Sequence, residues 1–430
     1  MTRAEATTGP ARIRVAAIEP ADGIDVLQAL GEALSVAWRD ANYDDEAFAD
    51  LATAHLRDTL AAGTPGLRDL TEWIVTSRDL PRQERRSFGQ PPVNVYTGHK
   101  FLIEVIVWLD STTAIHQHGF SGAFGVLEGS SVHSRYRFEL QDRVCTEVLL
   151  GDVEFESAEL LNRGDVHTIR AGPEFLHSLF HLERPSVSVV VRTTSEPRYN
   201  PQYSYLKPGL AIDPFHDPEP LATTLELLES LTDVNPELFW SASRTLVRTS
   251  DFWTALRVVG LAVRTLHEAP ELEELLAEAR VRHGERISYV IAAAEEQRRQ
   301  ANITARRQVI RDPDFRYFLA LLLNVPDRRT IYDLIADRYP RRNPEALVLR
   351  WVAELSEQRR IGLEFDALSL KLLEFALRDV PFEDVRRALE EAFGLDPKQQ
   401  VELRALWDEL HSALLLRPLF EADQRTRVVA

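Results

Sequence analysis

The hydrophobic pattern of this chain changes character along its length, and each change predicts a different kind of structure. Residues 24–80 place apolar side chains three and four positions apart, the spacing of amphipathic helices. Examples of this spacing are Val26, Leu27, Leu30, Leu34 and Trp38. Prolines and glycines then recur over residues 80–92, which is typical of a connector. We therefore expect residues 1–92 to form helices that cap the domain that follows.

Between residues 93 and 200 the apolar runs become short, and glycine, proline and aspartate turn signals separate them. These β-type runs cover residues 101–109, 123–127, 131–140, 144–150, 166–171, 176–182 and 186–193. Residues 152–163 fit either a strand or a helical excursion, and Gly129 predicts a hairpin turn. Because the strands follow one another without intervening helices, this region predicts an antiparallel sandwich or barrel.

The last two segments differ again. Prolines recur through residues 201–220 and predict a linker, whereas residues 221–430 show helical spacing almost throughout. Asp251 and Asn343 stand where helix-start chemistry is expected. The expected fold is an α+β multidomain chain with N-terminal helices, an antiparallel β domain and an all-α C-terminal domain.

Composition and charge restrict the function classes. Apolar residues make up 44% and charged residues 27%, and no apolar run approaches the roughly 20 residues of a membrane-spanning helix. The N-terminus lacks the apolar core of a secretory signal, and the single cysteine, Cys145, allows no internal disulfide. These features predict a cytoplasmic protein without a membrane partner. A net charge of −17 argues against a nucleic-acid partner.

Histidines are concentrated in the predicted β domain, where six of the twelve lie between residues 116 and 181. They are His116, His118, His133, His167, His177 and His181. Only Gln117 separates His116 from His118, so on a strand both rings project from one face and can converge on one ion. Imidazole is a ligand for iron, copper, zinc and nickel. The pair therefore predicts a metal site that needs at least one further ligand.

Two stretches of the β region together resemble the paired motifs of the cupin superfamily. The first is His116-Gln117-His118. The second comprises Gly164-Asp165, Ile169, Ala171-Gly172 and His177, ahead of the valine-rich residues 187–191. The resemblance implies a cupin jelly roll, an antiparallel double-stranded β-helix, over residues 93–200. It also implies that the metal ligands are His116, His118 and His177, with His167 as the rival for the third position.

Gly122 restricts the resemblance to cupins with an all-histidine metal site, because many other cupins carry a glutamate ligand at that position. An all-histidine site is similar to that of the thiol dioxygenases, meaning cysteine dioxygenase and the plant cysteine oxidase and cysteamine dioxygenase group. Residues 100–118, 129–136 and 185–189 resemble stretches of these enzymes. The chain departs from them at Val190 and Arg192, which replace a histidine and a tyrosine, and it lacks the crosslinking cysteine of the animal enzymes.

This resemblance implies a mononuclear non-haem Fe(II)-dependent oxygenase that acts on a small thiol or anionic metabolite with O₂. A non-redox cupin enzyme with zinc, nickel or manganese is the alternative at the same ligands. Further candidate residues for the catalytic site are His133, Tyr136, His181 and Arg192.

Strand alternation gives each of these residues an expected position. His181 shares a strand face with His177 and is expected in the pocket. His133 and Tyr136 lie three positions apart, so on a regular strand they face opposite sides and only one can contact the site. Arg192 would neutralise a substrate carboxylate if its strand faces inward, and would otherwise form a solvated salt bridge.

The helical half keeps a second class of function open. Arginine pairs such as Arg298-Arg299 and Arg306-Arg307 have acidic neighbours and fit solvated helix faces. We expect the all-α domain to support a homo-oligomer, to bind a protein partner, or to transmit a signal from a metal- or ligand-sensing cupin. An enzyme would consume oxygen with its substrate, whereas a sensor would not.

Overall fold

The computed structural model describes residues 23–83, 89–109, 112–360, 362, 364–394 and 396–421. Three helices come first: α1 (Asp25–Asp40), α2 (Asp45–Ala62) and α3 (Leu67–Thr76). Asp44 accepts a hydrogen bond from the Glu46 amide and so caps α2. The N-terminal helices are present, although residues 1–22 and 84–88 of the predicted region 1–92 lie outside the described residues.

The middle of the chain is built from antiparallel strands. Strands β1 to β9 span Pro92–Thr97, Phe101–Trp108, Ile115–His118, Gly122–Glu128, Ser131–Arg143, Val148–Leu161, Val166–Ile169, Gly172–His181 and Ser186–Thr193. Two short strands follow, β10 (Ser204–Leu206) and β11 (Leu210–Ile212). A five-stranded sheet has the order β1-β2-β9-β4-β7, and the order β10-β11-β6-β5-β8-β3 closes into a barrel.

Strand β2 shows how the five-stranded sheet separates its two faces. Phe101, Ile103 and Val105 pack into one core with side chains of α1 and α2. Glu104 and Ile106 project to the opposite face and line a cavity. Because successive side chains alternate between the two faces of the sheet, the almost wholly apolar strand β2 contributes side chains to the helix-covered core on one face and to the cavity wall on the other. Strand β9, which pairs with β2 along its full length, alternates in the same way.

The β region extends further along the chain than the sequence predicts. Strands β10 and β11 lie inside residues 201–220, where we expected a linker, and they pair with β3 and β6. Pro201 and Pro208 stand just outside these three-residue strands, where a missing backbone N–H removes no ladder bond. The prolines therefore separate strands and do not mark a linker there. The ambiguous residues 152–163 are strand as far as residue 161.

The turn at Gly129 is present, but it does not form a hairpin. Gly129 adopts a φ of +80°, a conformation that glycine tolerates without steric cost. Strand β4 before it pairs with β7 and β9, whereas β5 after it pairs with β6 and β8. The hairpin prediction was wrong because a turn signal reports a change of direction and does not say which strands pair.

The C-terminal half is helical, as predicted. Helices α4 to α9 span Glu219–Val234, Pro236–Thr249, Phe252–Thr265, Glu271–His283, Arg286–Val309 and Pro313–Asn324. Helices α10 to α15 span Arg328–Arg338, Pro344–Glu357, Ala367–Leu377, Phe382–Phe393, Pro397–Ser412 and Arg417–Phe420. In the part of the chain that the structure describes, no helix has both the length and the apolar character to cross a membrane.

Helix α9 joins the helical half to the strands. Asp312 caps it by accepting hydrogen bonds from the Asp314 and Phe315 amides, and all its side chains from Phe315 to Asn324 are buried. The core around α9 includes Val132 of β5 and Phe180 of β8. The helical half therefore packs directly against β8, the strand that carries His177.

Candidate metal centre

Strands β3 and β8 bring three of the predicted ligands together. Strand β3 carries His116 and His118, and its antiparallel pairing with β8 sets His116 opposite His177. One ring nitrogen from each of the three lies within 4.8 Å of the other two. His118 and His177 are buried, and His116 is half-buried. These three histidines, the His triad, could hold a metal ion.

The orientation of the rings fits a shared ion. His118 Nε2 lies 2.9 Å from His177 Nε2. Two nitrogens bound at about 2.1 Å and at right angles to one metal stand roughly 3 Å apart, so this separation suits neighbouring ligands. His116 Nδ1 lies 2.8 Å from the Ala114 carbonyl oxygen, to which it can donate, and this leaves its Nε2 lone pair available. The donor set therefore fits a divalent metal bound through three imidazole nitrogens.

Burial keeps these rings neutral. Desolvation lowers the pKa of His116, and desolvation reinforced by neighbouring charges lowers the pKa of His118 and His177 well below 6.5. Arg192 is one of the charged groups that act on the pKa of His118. A neutral imidazole keeps the lone pair that a metal requires. Near neutral pH the three imidazole rings are therefore uncharged and able to bind a metal.

The backbone explains why no glutamate completes this site. A Cβ atom at Gly122 would lie 1.9 Å from the Val191 carbonyl oxygen and 2.9 Å from the Arg192 Cα atom. Contacts that short require the backbone to move, so a glutamate at residue 122 does not fit this arrangement. Within the described residues, the cluster formed by the His triad contains no carboxylate. The candidate centre is therefore an all-histidine one.

A second polar cluster lies behind the His triad. His133 Nε2 is 3.1 Å from His177 Nδ1, and His133 Nδ1 is 3.0 Å from Glu159 Oε1. His167, the rival for the third ligand position, has its Nε2 3.7 Å from the same carboxylate oxygen. The structure therefore groups His167 with His133 and Glu159 and groups His177 with the pair on β3.

A metal bound at His177 would determine which ring nitrogens carry protons along this chain of hydrogen bonds. A metal held by the His triad would leave the proton of His177 on Nδ1, from which it would be donated to His133 Nε2. His133 then carries its own proton on Nδ1 and donates it to Glu159, a hydrogen bond that lowers the pKa of this carboxyl. Outer contacts of this kind fix the tautomer and orientation of a ligand. His133 is therefore placed to support His177, and Glu159 was not anticipated from the sequence.

Replacing His133 with phenylalanine removes the acceptor for His177 and is expected to weaken metal binding about 10- to 100-fold. Glu159→Ala removes only the far end of the hydrogen-bond chain and is expected to give a smaller loss. Glu156→Ala removes an equal charge from an exposed position nearby and serves as the control. Competition with a metal chelator measures each affinity. An unchanged affinity in His133→Phe would contradict the supporting role.

The His triad opens onto a cavity of about 610 Å³, which side chains of β2, β4 and β9 line on the other side. Arg192 faces inward and lines this cavity, which is one of the two positions that the sequence predicted for it. Its Nε donates to Glu104 Oε2 at 2.9 Å, and both side chains are largely buried. The ion pair is thus buried and not solvated. Glu104 was not predicted as a site residue from the sequence. A carboxylate inside the apolar run of β2 is the feature that could have indicated it.

His181 shares a strand face with His177, as alternation predicts, but it does not line the cavity of the His triad. Its ring stacks on Trp108, with centroids 4.6 Å apart, and its Nδ1 lies 2.8 Å from Ser131 Oγ. Trp108 itself lines the cavity. The expected pocket position of His181 is therefore not observed, because the indole ring occupies the space next to it.

Tyr136 faces away from the His triad. The prediction that His133 and Tyr136 point to opposite sides agrees with the structure, in which the Tyr136 hydroxyl donates to the Asn324 carbonyl oxygen at 3.3 Å. Asn324 belongs to α9, so the helical half covers this face of β5. The sequence left His133 and Tyr136 as alternatives for contact with the site. The structure places Tyr136 on the face of β5 away from the His triad, so Tyr136 does not contact a ligand bound there.

Comparison with known proteins gives no family for this chain: no protein-family model matches it, and the curated proteins contain no match. The candidate site therefore rests on its own geometry, with three buried or half-buried imidazoles converging in the wall of a cavity. The antiparallel sheets and the His triad are compatible with a cupin-like arrangement.

Proposed function

We propose that this protein is a mononuclear non-haem Fe(II)-dependent oxygenase built on a cupin jelly roll. It acts on a small thiol or anionic metabolite with O₂. The observation that carries this proposal is the convergence of His116, His118 and His177 at a cavity, with no carboxylate in their cluster among the described residues. Three neutral ligands on one side of an iron ion leave positions for both substrate and oxygen.

Bound iron would supply the redox chemistry, and the chain would supply binding and orientation. For a thiol, the overall reaction RSH + O₂ → RSO₂H balances without a further reductant. Two S–O bonds form, the O–O bond breaks, and the S–H proton moves to the sulfinate. Sulfur gives up the four electrons that O₂ takes up. The apolar cavity walls would exclude bulk water around these reactants.

Oxygen uptake tests the proposed function. Metal-free protein loaded with Fe(II) under anaerobic conditions is mixed with cysteine, cysteamine or 3-mercaptopropionate, and O₂ consumption is followed with an electrode. We expect uptake in proportion to the sulfinate formed, with both oxygen atoms of ¹⁸O₂ in the product. His118→Ala should reduce uptake to background. Background uptake by iron-loaded wild type with every thiol and anionic candidate would contradict an oxygenase.

A second candidate function is a metal- or ligand-sensing module that signals through the helical half. It is motivated by one contact: Ser178, the neighbour of His177, donates through Oγ to Asn324 Oδ1 of α9 at 3.1 Å. A change at the His triad would then act on α9 directly. Metal-dependent hydrogen-exchange protection of α9 without any oxygen uptake would favour this candidate. A non-redox enzyme using zinc, nickel or manganese would show neither uptake nor a need for iron.

A further inference from the structure

The cavity beside the His triad is larger than a small metabolite needs. Its volume of about 610 Å³ falls within the roughly 300–1,000 Å³ of pockets that take drug-sized molecules. A molecule the size of an amino acid, bound at the His triad, would leave much of this volume to water. Water in contact with apolar walls is unfavourable, so a cavity of this size favours a substrate large enough to fill it.

The walls of the cavity combine apolar side chains with the uncharged polar side chains of Thr113, Ser188, Thr194, Ser195, Asn200 and Gln202. The apolar lining side chains are Pro92, Ile106, Trp108, Phe120, Phe124, Ile169, Leu179, Val190 and Phe215. Trp108 donates through Nε1 to Ser188 Oγ at 2.8 Å, so these two polar groups on the wall satisfy each other. Phe215 is 75% exposed and therefore lies at the solvent side of the cavity. An apolar body that runs from the His triad towards Phe215 would cover these walls.

The charges of the cavity indicate the sign of the head group. Among the described lining residues, Arg192 and Glu104 are the charged side chains, and their 2.9 Å ion pair is neutral as a whole. Three neutral imidazoles leave the charge of a bound divalent metal uncompensated. Arg192 lies over the Phe120 ring, which in turn contacts the His118 ring. An anionic head group is therefore favoured at the His triad.

We propose that the cavity binds an amphipathic monocarboxylate, with its carboxylate at the metal-loaded His triad and an unbranched apolar body along β2 and β9 towards Phe215. The inference rests on the proposed function, because it uses the metal at the His triad. Of the thiol and anionic substrates in the proposed function, it favours an anion with a longer apolar body. Each methylene group that leaves water raises affinity about fourfold. Affinity should therefore rise with chain length until the body reaches the cavity mouth.

Calorimetric titration of the zinc-loaded chain with straight-chain carboxylates from butanoate to dodecanoate tests this proposal. Zinc has no redox chemistry, so binding is measured without turnover, and failure here is distinguishable from failure of the oxygenase proposal. We expect about a fourfold gain per methylene up to a plateau. Alkanols of equal length should bind about tenfold more weakly, because they lack the charge. No dependence on chain length, or equal binding of the alkanols, would overturn the proposal.

A bulkier side chain at Val190 tests the path of the apolar body. Val190 is half-buried in the cavity wall, and Val190→Trp should weaken dodecanoate binding about tenfold or more and leave butanoate unchanged. Val281→Trp, at a position that is 90% exposed, is the matched control and should change neither. Zinc stoichiometry and the unfolding midpoint report whether each variant folds. If Val190→Trp does not fold, Val190→Met gives the same comparison with an expected loss of about threefold. Unchanged dodecanoate binding in a folded Val190 variant would overturn the proposed path.

Discussion

Replacing His177 with alanine is expected to abolish stoichiometric metal binding, with an affinity loss of more than about 100-fold, the upper end for outer contacts of a metal site. His177 Nε2 stands 2.9 Å from His118 Nε2, so it faces the same point as its partner ligand. Alanine leaves two imidazoles, and it also breaks the hydrogen bond from His177 to His133. Metal content after dialysis against a fixed free-metal concentration measures the loss.

His167→Ala is the matched control for this change, because it removes an imidazole from the same β region without touching the His triad. His167 lies beside Glu159, and its strand β7 belongs to the five-stranded sheet. We expect His167→Ala to retain close to the full metal content of the wild-type chain. Full metal in His177→Ala together with loss in His167→Ala would mean that the ligand assignment is wrong.

Replacing His181 with phenylalanine is expected to flatten the acid side of the stability profile. Burial, reinforced by the charges of Arg307 and Arg316, lowers the pKa of His181 from 6.5 to about 3. Between these two values the unfolded chain binds a proton that the folded chain does not, so the free energy of unfolding falls as pH falls. One such proton contributes about 1.4 kcal/mol per pH unit, or about 2.5 kcal/mol between pH 6 and pH 4.

Urea denaturation of the metal-free protein at several pH values measures this difference. The phenyl ring of His181→Phe can keep the stack on Trp108, so the comparison isolates the titrating ring. Ser131→Ala removes the 2.8 Å hydrogen bond to His181 but keeps the imidazole, and it should retain the wild-type slope. Other buried histidines titrate equally in all three proteins and cancel in the comparison. Equal slopes in His181→Phe and wild type would contradict this assignment.

Local patterns predicted the parts of the site that depend on one strand at a time. The period of two along β3 places His116 and His118 together, and the apolar runs of β2 and β9 begin and end within a residue of their predicted bounds. Helix caps such as Asp44 and Asp251 follow from side chains that reach the nearest amides. These features need only neighbours in sequence, which is why the sequence alone indicates them.

Features that depend on distant pairing could not be predicted in the same way. Strands β10 and β11 have three residues each, too short for a periodic pattern, and they are strands because β3 and β6 lie beside them. The contact of His133 with Glu159 depends on the register of β5 on β6. Tyr136 contacts Asn324 across 188 positions of the chain. No local signal reports which face of β5 a later helix covers.

Anaerobic titration of the metal-free wild-type chain with Fe(II), followed by dialysis and metal analysis, tests whether the His triad is an iron centre. We expect one tightly held iron per chain, because the His triad converges three neutral imidazoles on one point. We also expect this iron to be absent from His118→Ala prepared in parallel. A wild-type chain that holds no stoichiometric iron, or a His118→Ala chain that holds as much, would contradict an iron centre at the His triad.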